Sequence, residues 1–212
     1  MKQTKITEVP GLLRVGIYLF DKVELLDFAG PYEVFSVTSE LNDFGMFQVF
    51  TLSYDGRPIQ TISGLKVIVD YSFDNHPPID LLVIPGGVGT RSEVKKPHVL
   101  DWIKRVHRQN QITMSVCSGS ILLGKAGLLD GLSATTHWRS LEWMRELFPD
   151  VTVEHDKRVV EDGRIITSAG ISAGIDMALR VVARYYGEGV ARATAKHMEY
   201  PYPEDNTRRV NI

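Results

Sequence analysis

Short apolar runs alternate with segments of helical periodicity along almost the whole chain, and this alternation restricts the fold more than any other feature. Leu13–Phe20, Gln48–Tyr54, Asp80–Ile84 and the run ending at Val116 are apolar at most positions rather than at every second one. Strands of that kind are covered on both faces, which is the habit of a parallel sheet with helices above and below it. The intervening segments predict helices over Pro31–Leu41, with Pro31 suited to the first turn, and over Pro97–Gln109. Another runs from the turn after Val116 to Ala126, with Gly127 as its C-cap, and others over Arg139–Leu147, Ser172–Tyr186 and Gly189–Met198. Ile59–Ile62 and Val67–Val69 read as a small hairpin, Ser133–Thr136 as a further strand, and Glu161-Asp162-Gly163 as a turn between Val159–Val160 and Ile165–Thr167. The expected architecture is a doubly wound α/β sheet, mostly parallel, with helices on both faces.

Composition narrows the functional classes. The 212 residues are 43% hydrophobic and 24% charged, enough for one large core, and no repeat or linker divides them, so a single domain over 1–212 with its core at about 13–200 is expected. A net charge of −2 gives no basic surface for nucleic acid or anionic membrane. The single cysteine excludes an intrachain disulfide and suits a reducing compartment. The Leu12–Phe20 stretch is interrupted by Arg14 and too short for a signal peptide, and no apolar run reaches the roughly 18 residues a membrane span needs. A cytoplasmic protein is expected.

In a sheet of this kind ligands bind beyond the carboxyl ends of the strands, which gathers four segments on one edge. One carries Cys117, at the junction where a strand passes into a Gly/Ser turn and then a helix. A sulfur near a helix N-terminus is favoured as thiolate, against the alternative of an inert buried cysteine. Asp27, with apolar neighbours on both sides and a helix start just after it, is either a first-turn charge or a carboxyl group bonded to that sulfur and able to pass a proton. Gly86-Gly87 is either a tight turn or a pair of N–H donors for an anion hole. His137, after Ala134-Thr135-Thr136 and a core strand, is either a base or a histidine satisfied at the core edge. Ser118 rather than His follows Cys117, which argues against a cysteine hydrolase with an adjacent Cys-His pair. His76, His98, His107, His155 and His197 have no metal-ligand spacing, and neither a P-loop nor a Gly-x-Gly-x-x-Gly motif is present, so no metal or cofactor is expected. Lys95-Lys96 and Arg208-Arg209 read as solvated surface charge.

Leu26-Asp27-Phe28-Ala29-Gly30-Pro31, Ile84-Pro85-Gly86-Gly87, Ser115-Val116-Cys117-Ser118-Gly119, Ala134-Thr135-Thr136-His137-Trp138 and Ser168-Ala169-Gly170-Ile171-Ser172-Ala173-Gly174-Ile175-Asp176 occur in that order. Together they resemble the ThiJ/PfpI family of the class I glutamine amidotransferase-like superfamily, over roughly residues 13–200. Within it the resemblance points to isocyanide hydratases and to the amidase-like N-terminal domains of AraC-type regulators. It implies a flavodoxin-like fold, a homodimer and a small-molecule substrate. It further implies Cys117 as nucleophile, Asp27 as the acid contacting it, Gly86 and Gly87 as the oxyanion segment, and Ser118 as an orienting hydroxyl where the family's hydratases carry Thr. The reaction implied is hydration of an isocyanide to an N-substituted formamide. The alternatives are glyoxalase- or deglycase-like action on reactive carbonyls, a ligand-sensing domain without its DNA-binding partner, and redox sensing through Cys117.

Overall fold

A computed structural model describes residues 11–208. Seven strands form the central sheet: β1 (Leu13–Tyr18), β2 (Phe47–Ser53), β5 (Tyr71–Ser72), β6 (Leu81–Ile84), β7 (Ile112–Val116), β10 (Val159–Asp162) and β11 (Ile165–Ser168). Two small accessory pairs lie outside it, β3 (Ile59–Gln60) with β4 (Lys66–Val67), and β8 (Ser133–Ala134) with β9 (Thr152–Val153). The helices are α1 (Leu25–Glu40), α2 (Thr90–Glu93), α3 (Pro97–Gln109), α4 (Gly119–Lys125), α5 (Leu141–Leu147), α6 (Ala173–Tyr186) and α7 (Glu188–His197). The sheet order is β10-β11-β7-β6-β1-β2-β5, parallel throughout except for β10 against β11.

Hydrophobicity sets this order. Every residue of β6 is inaccessible to solvent and β7 is buried along its length, which requires cover on both faces. The step from β1 to β2 and the step from β6 to β7 run in opposite directions across the sheet. Right-handed crossovers therefore put α1 and α3 on opposite faces. The order reverses between β1 and β6, which are adjacent. The crevice beyond their carboxyl ends is the switch point where such folds bind ligands.

The expected α/β architecture is the observed one, with four local corrections. First, α1 begins at Leu25 and carries Pro31 in its interior, not in its first turn. Interior proline removes one N–H bond to the carbonyl four residues back and crowds that carbonyl, and burial of Asp27, Phe28 and Gly30 against the body of the protein outweighs that cost. Second, β8 pairs only with β9 and is not a core strand. Third, Lys96 is not simply solvated, because its ammonium bonds the buried Glu93 carboxylate at 2.7 Å. Fourth, Arg208 is half-buried and donates to Thr135, Thr136 and His155. Arg209 and residues 1–10 lie outside the described residues. Strands β5 and β9 and helix α2, two to four residues each, were too short for any periodicity to register.

Two glycines let α1 approach closely enough to place its first turn over Cys117. A Cβ on Gly30 would sit 2.9 Å from Ile175 of α6. One on Gly174 would sit 3.1 Å from Val116 and 3.4 Å from Pro31. The α1–α6 crossing thus closes over the end of β7.

Candidate active site

Four segments that leave the carboxyl edge of the sheet meet at Cys117. The cysteine follows β7 directly and takes φ +56°, a left-handed conformation that costs a non-glycine residue energy and persists only when its surroundings fix it. They do so through the backbone. The Cys117 N–H donates to Ser168 O at 3.2 Å and Ala169 O at 3.1 Å, and its carbonyl accepts from Ser120 Oγ at 3.2 Å and Thr136 Oγ1 at 2.9 Å. The residue itself is 8% exposed.

Asp27 lies in the first turn of α1 and is fully buried. Its Oδ2 accepts the Gly86 N–H at 2.9 Å, whereas Oδ1 has no hydrogen bond of regular geometry. The carboxyl and the Cys117 thiol interact directly. Burial pushes Asp27 up to about 7, with Glu24 adding to the rise and the Gly86 N–H, the thiol and the Ile171 N–H opposing it. Burial likewise pushes the Cys117 thiol well above its ordinary range, assisted by Asp27 and Glu24 and opposed by the Ser118 N–H. The expected helix-terminal preference for thiolate is therefore outweighed by desolvation in the resting site. The two groups titrate as a pair, and above neutral pH that pair holds one proton between a soft nucleophile and an acid.

Gly86 and Gly87 use their amides differently from the expected anion hole. Gly86 N–H holds Asp27, and Gly87 N–H donates to Ser118 Oγ at 3.1 Å. Both therefore hold the side chains beside Cys117 in place. Glycine is required at each. A Cβ on Gly86 would lie 2.6 Å from Ser118 N and 2.9 Å from Asp27 Oδ2, and Gly87 has φ +121°. Ser118 Oγ is further engaged by Thr90 Oγ1 at 3.3 Å.

His137 is not assembled with the pair. Its Nδ1 accepts the Arg139 N–H at 3.2 Å and its ring packs over Gly170. Burial, followed by Arg139 and Arg208, lowers its pKa, and neither Cys117 nor Asp27 bears on it. The geometry makes it a prop for the loop before α6. Two residues of the Ser168–Asp176 motif, one in that loop and one in the first turn of α6, add to the site. Ile171, at φ +53°, turns its N–H to Asp27. Asp176 is buried, paired with Arg158, and accepts Tyr200 OH at 2.6 Å, which fixes the start of α6. Thr136 was visible only as part of a motif, since a threonine that holds a carbonyl across 19 residues has no signature of its own.

Among the described residues no group of His, Cys, Asp and Glu is arranged to hold a metal, and no helix is long and apolar enough to cross a membrane. A groove of about 320 Å³ on the flank of α1, lined by Phe28, Tyr32, Thr51 and Ile68 among others, does not include Cys117.

The chain has relatives among known proteins and solved structures. The chain is 34% identical over 189 residues to isonitrile hydratase of Pseudomonas putida, covering 89% of this chain and 78% of that protein. It is 32% identical over 186 residues to the transcriptional regulator GbdR of Pseudomonas aeruginosa, covering 88% of this chain but only 50% of the regulator. Its fold superposes on a ThiJ/PfpI family protein from Pseudomonas syringae with a TM-score of 0.81 at 28% identity, covering 96% of this chain and 82% of that one. The Drosophila melanogaster DJ-1beta structure, at 20% identity and TM-score 0.76, shares the flavodoxin-like fold. The DJ-1/PfpI family model matches residues 13–184, and the chain belongs to that family.

Proposed function

We propose that this protein hydrates an isocyanide to the corresponding N-substituted formamide, with Cys117 as nucleophile and Asp27 as acid and base. The observation that carries the reading is the buried Asp27 carboxyl, with one oxygen left without a regular hydrogen bond, set against a thiol held in a strained strand-to-helix turn. The similarity to a hydratase over most of the chain supports it. The starting pair carries one proton. Sulfur adds to the terminal carbon of R–NC while that proton passes to the same carbon, giving the thioimidate R–N=CH–S–Cys117 and the Asp27 carboxylate. Asp27 then takes a proton from water as hydroxide adds to the carbon, and returns it to nitrogen. Breaking the C–S bond while the hydroxyl proton passes back to the pair releases R–NH–CHO. One water is consumed and the one-proton pair is restored. Ser118, fixed by Gly87 and Thr90, orients the turn.

The test is turnover of an aryl isocyanide, followed by product absorbance. Formamide formed by the wild type and by neither Cys117→Ala nor Asp27→Asn supports both roles, whereas activity surviving in Cys117→Ala overturns the covalent route. The similarity to GbdR favours a second reading, a ligand-sensing module, in which the same compounds bind without turnover. A homodimer and a cytoplasmic location accompany the first reading as proposals.

A further inference from the structure

Arg208 stands far from Cys117 in sequence, yet its hydrogen bonds lead to the segment that holds the cysteine. Its guanidinium donates through Nε to His155 O at 2.6 Å, and through Nη2 to Thr135 Oγ1 at 2.9 Å and Thr136 O at 3.1 Å. Thr136 in turn donates its hydroxyl to the Cys117 carbonyl at 2.9 Å. The approach of Arg208 is fixed by the chain before it. Asn206 exchanges side-chain bonds with Val159 N and O at 2.9 and 2.7 Å, its carbonyl accepts from Arg158 N at 3.0 Å, and Arg208 N donates to Asp156 O at 2.7 Å.

Among the described residues Arg208 has no ion-pair partner, and its side-chain donors go to neutral oxygens of the 135–136 and 155 segments. Burying half a guanidinium beside Arg158 costs desolvation and repulsion, which the more distant Asp156 carboxylate offsets only in part. A lysine would present one point charge there, whereas the planar fork reaches three oxygens at once. The Cys117 turn is left-handed and keeps that shape only through what grips it, and one of the two hydroxyls on its carbonyl belongs to Thr136.

We infer that Arg208 is a positioning residue for the nucleophile: through Thr136 it clamps the Cys117 turn, so that the C-terminal segment is a working part of the site. The inference rests on Cys117 being the nucleophile proposed above. Loosening the clamp lets the turn relax, moves the sulfur off the Ser118 N–H, and makes the thiol slower to ionise.

Because the chain has one cysteine, iodoacetamide alkylation reports on Cys117 alone. The experiment measures its rate from pH 6 to 10 in wild type, Arg208→Ala, Arg208→Lys, Thr136→Val, Thr136→Ser and the Arg208→Ala/Thr136→Val double variant, with melting temperature as control. Asp27 and Glu24 are the charged groups that face the thiol, and they are unchanged in all variants. Arg208→Ala and Thr136→Val are each expected to slow alkylation at pH 8 by about 3-fold or more and to move the profile to higher pH, Arg208→Lys to fail to restore it, and Thr136→Ser to restore it. The double variant is expected to be no slower than the slower single variant, because the two act in series. Independent, multiplying effects, or an Arg208→Ala profile that superposes on wild type while Thr136→Val shifts, would overturn the clamp and leave Cys117 as nucleophile. Isocyanide turnover that survives in Cys117→Ala would overturn both.

Discussion

Asp27 Oδ2 accepts the Gly86 N–H at 2.9 Å, and this bond ties the acid at the start of α1 to the turn after β6. Through Gly87 and Ser118 Oγ the same turn is tied to the residue after Cys117. Acid and thiol therefore share one anchor. A methyl group at position 86 would meet Ser118 N at 2.6 Å, Ser118 Oγ at 2.8 Å and Asp27 Oδ2 at 2.9 Å, backbone and site atoms with little room to yield. Gly86→Ala is expected to cost about 1–3 kcal/mol in urea unfolding and to reduce isocyanide turnover by about 100-fold. A variant with wild-type turnover would show that the acid and the turn are positioned by something other than this contact.

Asp27 gives the site a defined pH response. Below its pKa of about 7 the pair holds two protons, and the one-proton form that the proposed reaction needs is lost. Turnover per enzyme at low substrate is expected to fall about tenfold per pH unit below that value and to level off above it. Stability moves in the opposite sense. A carboxyl whose pKa is higher folded than unfolded binds more protons in the native state between about pH 4 and 7, so stability declines as pH rises through that window. The displacement from 3.8 to about 7 corresponds to at most about 4 kcal/mol. Asp27→Asn removes the slope, so its stability advantage over wild type is expected to grow from pH 4 to 7 and then stay constant. Denaturant melts at pH 4, 5.5, 7 and 8.5 check this, and parallel wild-type and variant curves would place the titration elsewhere.

The strand runs, the hairpin at Glu161–Gly163 and the edge that gathers Asp27, Gly86 and Cys117 were legible because buried parallel strands leave continuous apolar sequence. Helix α3 falls on Pro97–Gln109 as its apolar spacing and its leading proline predict. The start of α1 was not legible, since tertiary burial of Asp27 and Phe28 overrides a proline rule. The uses of Gly86 and Gly87 N–H, of Thr136 and of Arg208 were hidden for another reason. Each depends on a contact across many residues, and hydrogen bonds of that kind leave no periodic trace. At His137 the sequence leaves two roles open, and the contacts favour the histidine satisfied at the core edge: its ring packs on Gly170 and accepts the Arg139 N–H.

Ser118 carries a hydroxyl engaged on two sides, accepting from Gly87 N–H at 3.1 Å and from Thr90 Oγ1 at 3.3 Å. Ser118→Ala leaves the Gly87 N–H without its acceptor in a buried turn, while the Thr90 hydroxyl keeps the Gly87 carbonyl at 2.7 Å, and is expected to cost about 1–3 kcal/mol and to lower kcat more than it raises KM. Ser118→Thr keeps the acceptor and restricts its rotamer, so most of the stability is expected to return. Denaturant melts and steady-state kinetics on the three proteins separate the hydroxyl from the methyl group. An alanine variant as stable as wild type would remove Ser118 from the anchor.

Ile171 is a β-branched residue at φ +53°, a conformation that strains it, and its side chain is 37% exposed, so little packing offsets the strain. Its N–H, however, is delivered to Asp27, where it opposes the rise in pKa that burial imposes. Glycine adopts this backbone freely but also loosens the unfolded and folded loop. Ile171→Gly is therefore expected to stabilise the fold by about 0.5–1 kcal/mol, the relief of strain less the added chain entropy. Activity is expected to move the other way, with kcat falling several-fold and its acid limb shifting to higher pH as the N–H is held less firmly against Asp27. Ile171→Ala, which keeps the strain and removes only the side chain, is expected to leave that limb where it is in wild type. If both variants shift the limb equally, the exposed side chain rather than the strained backbone is what governs Asp27.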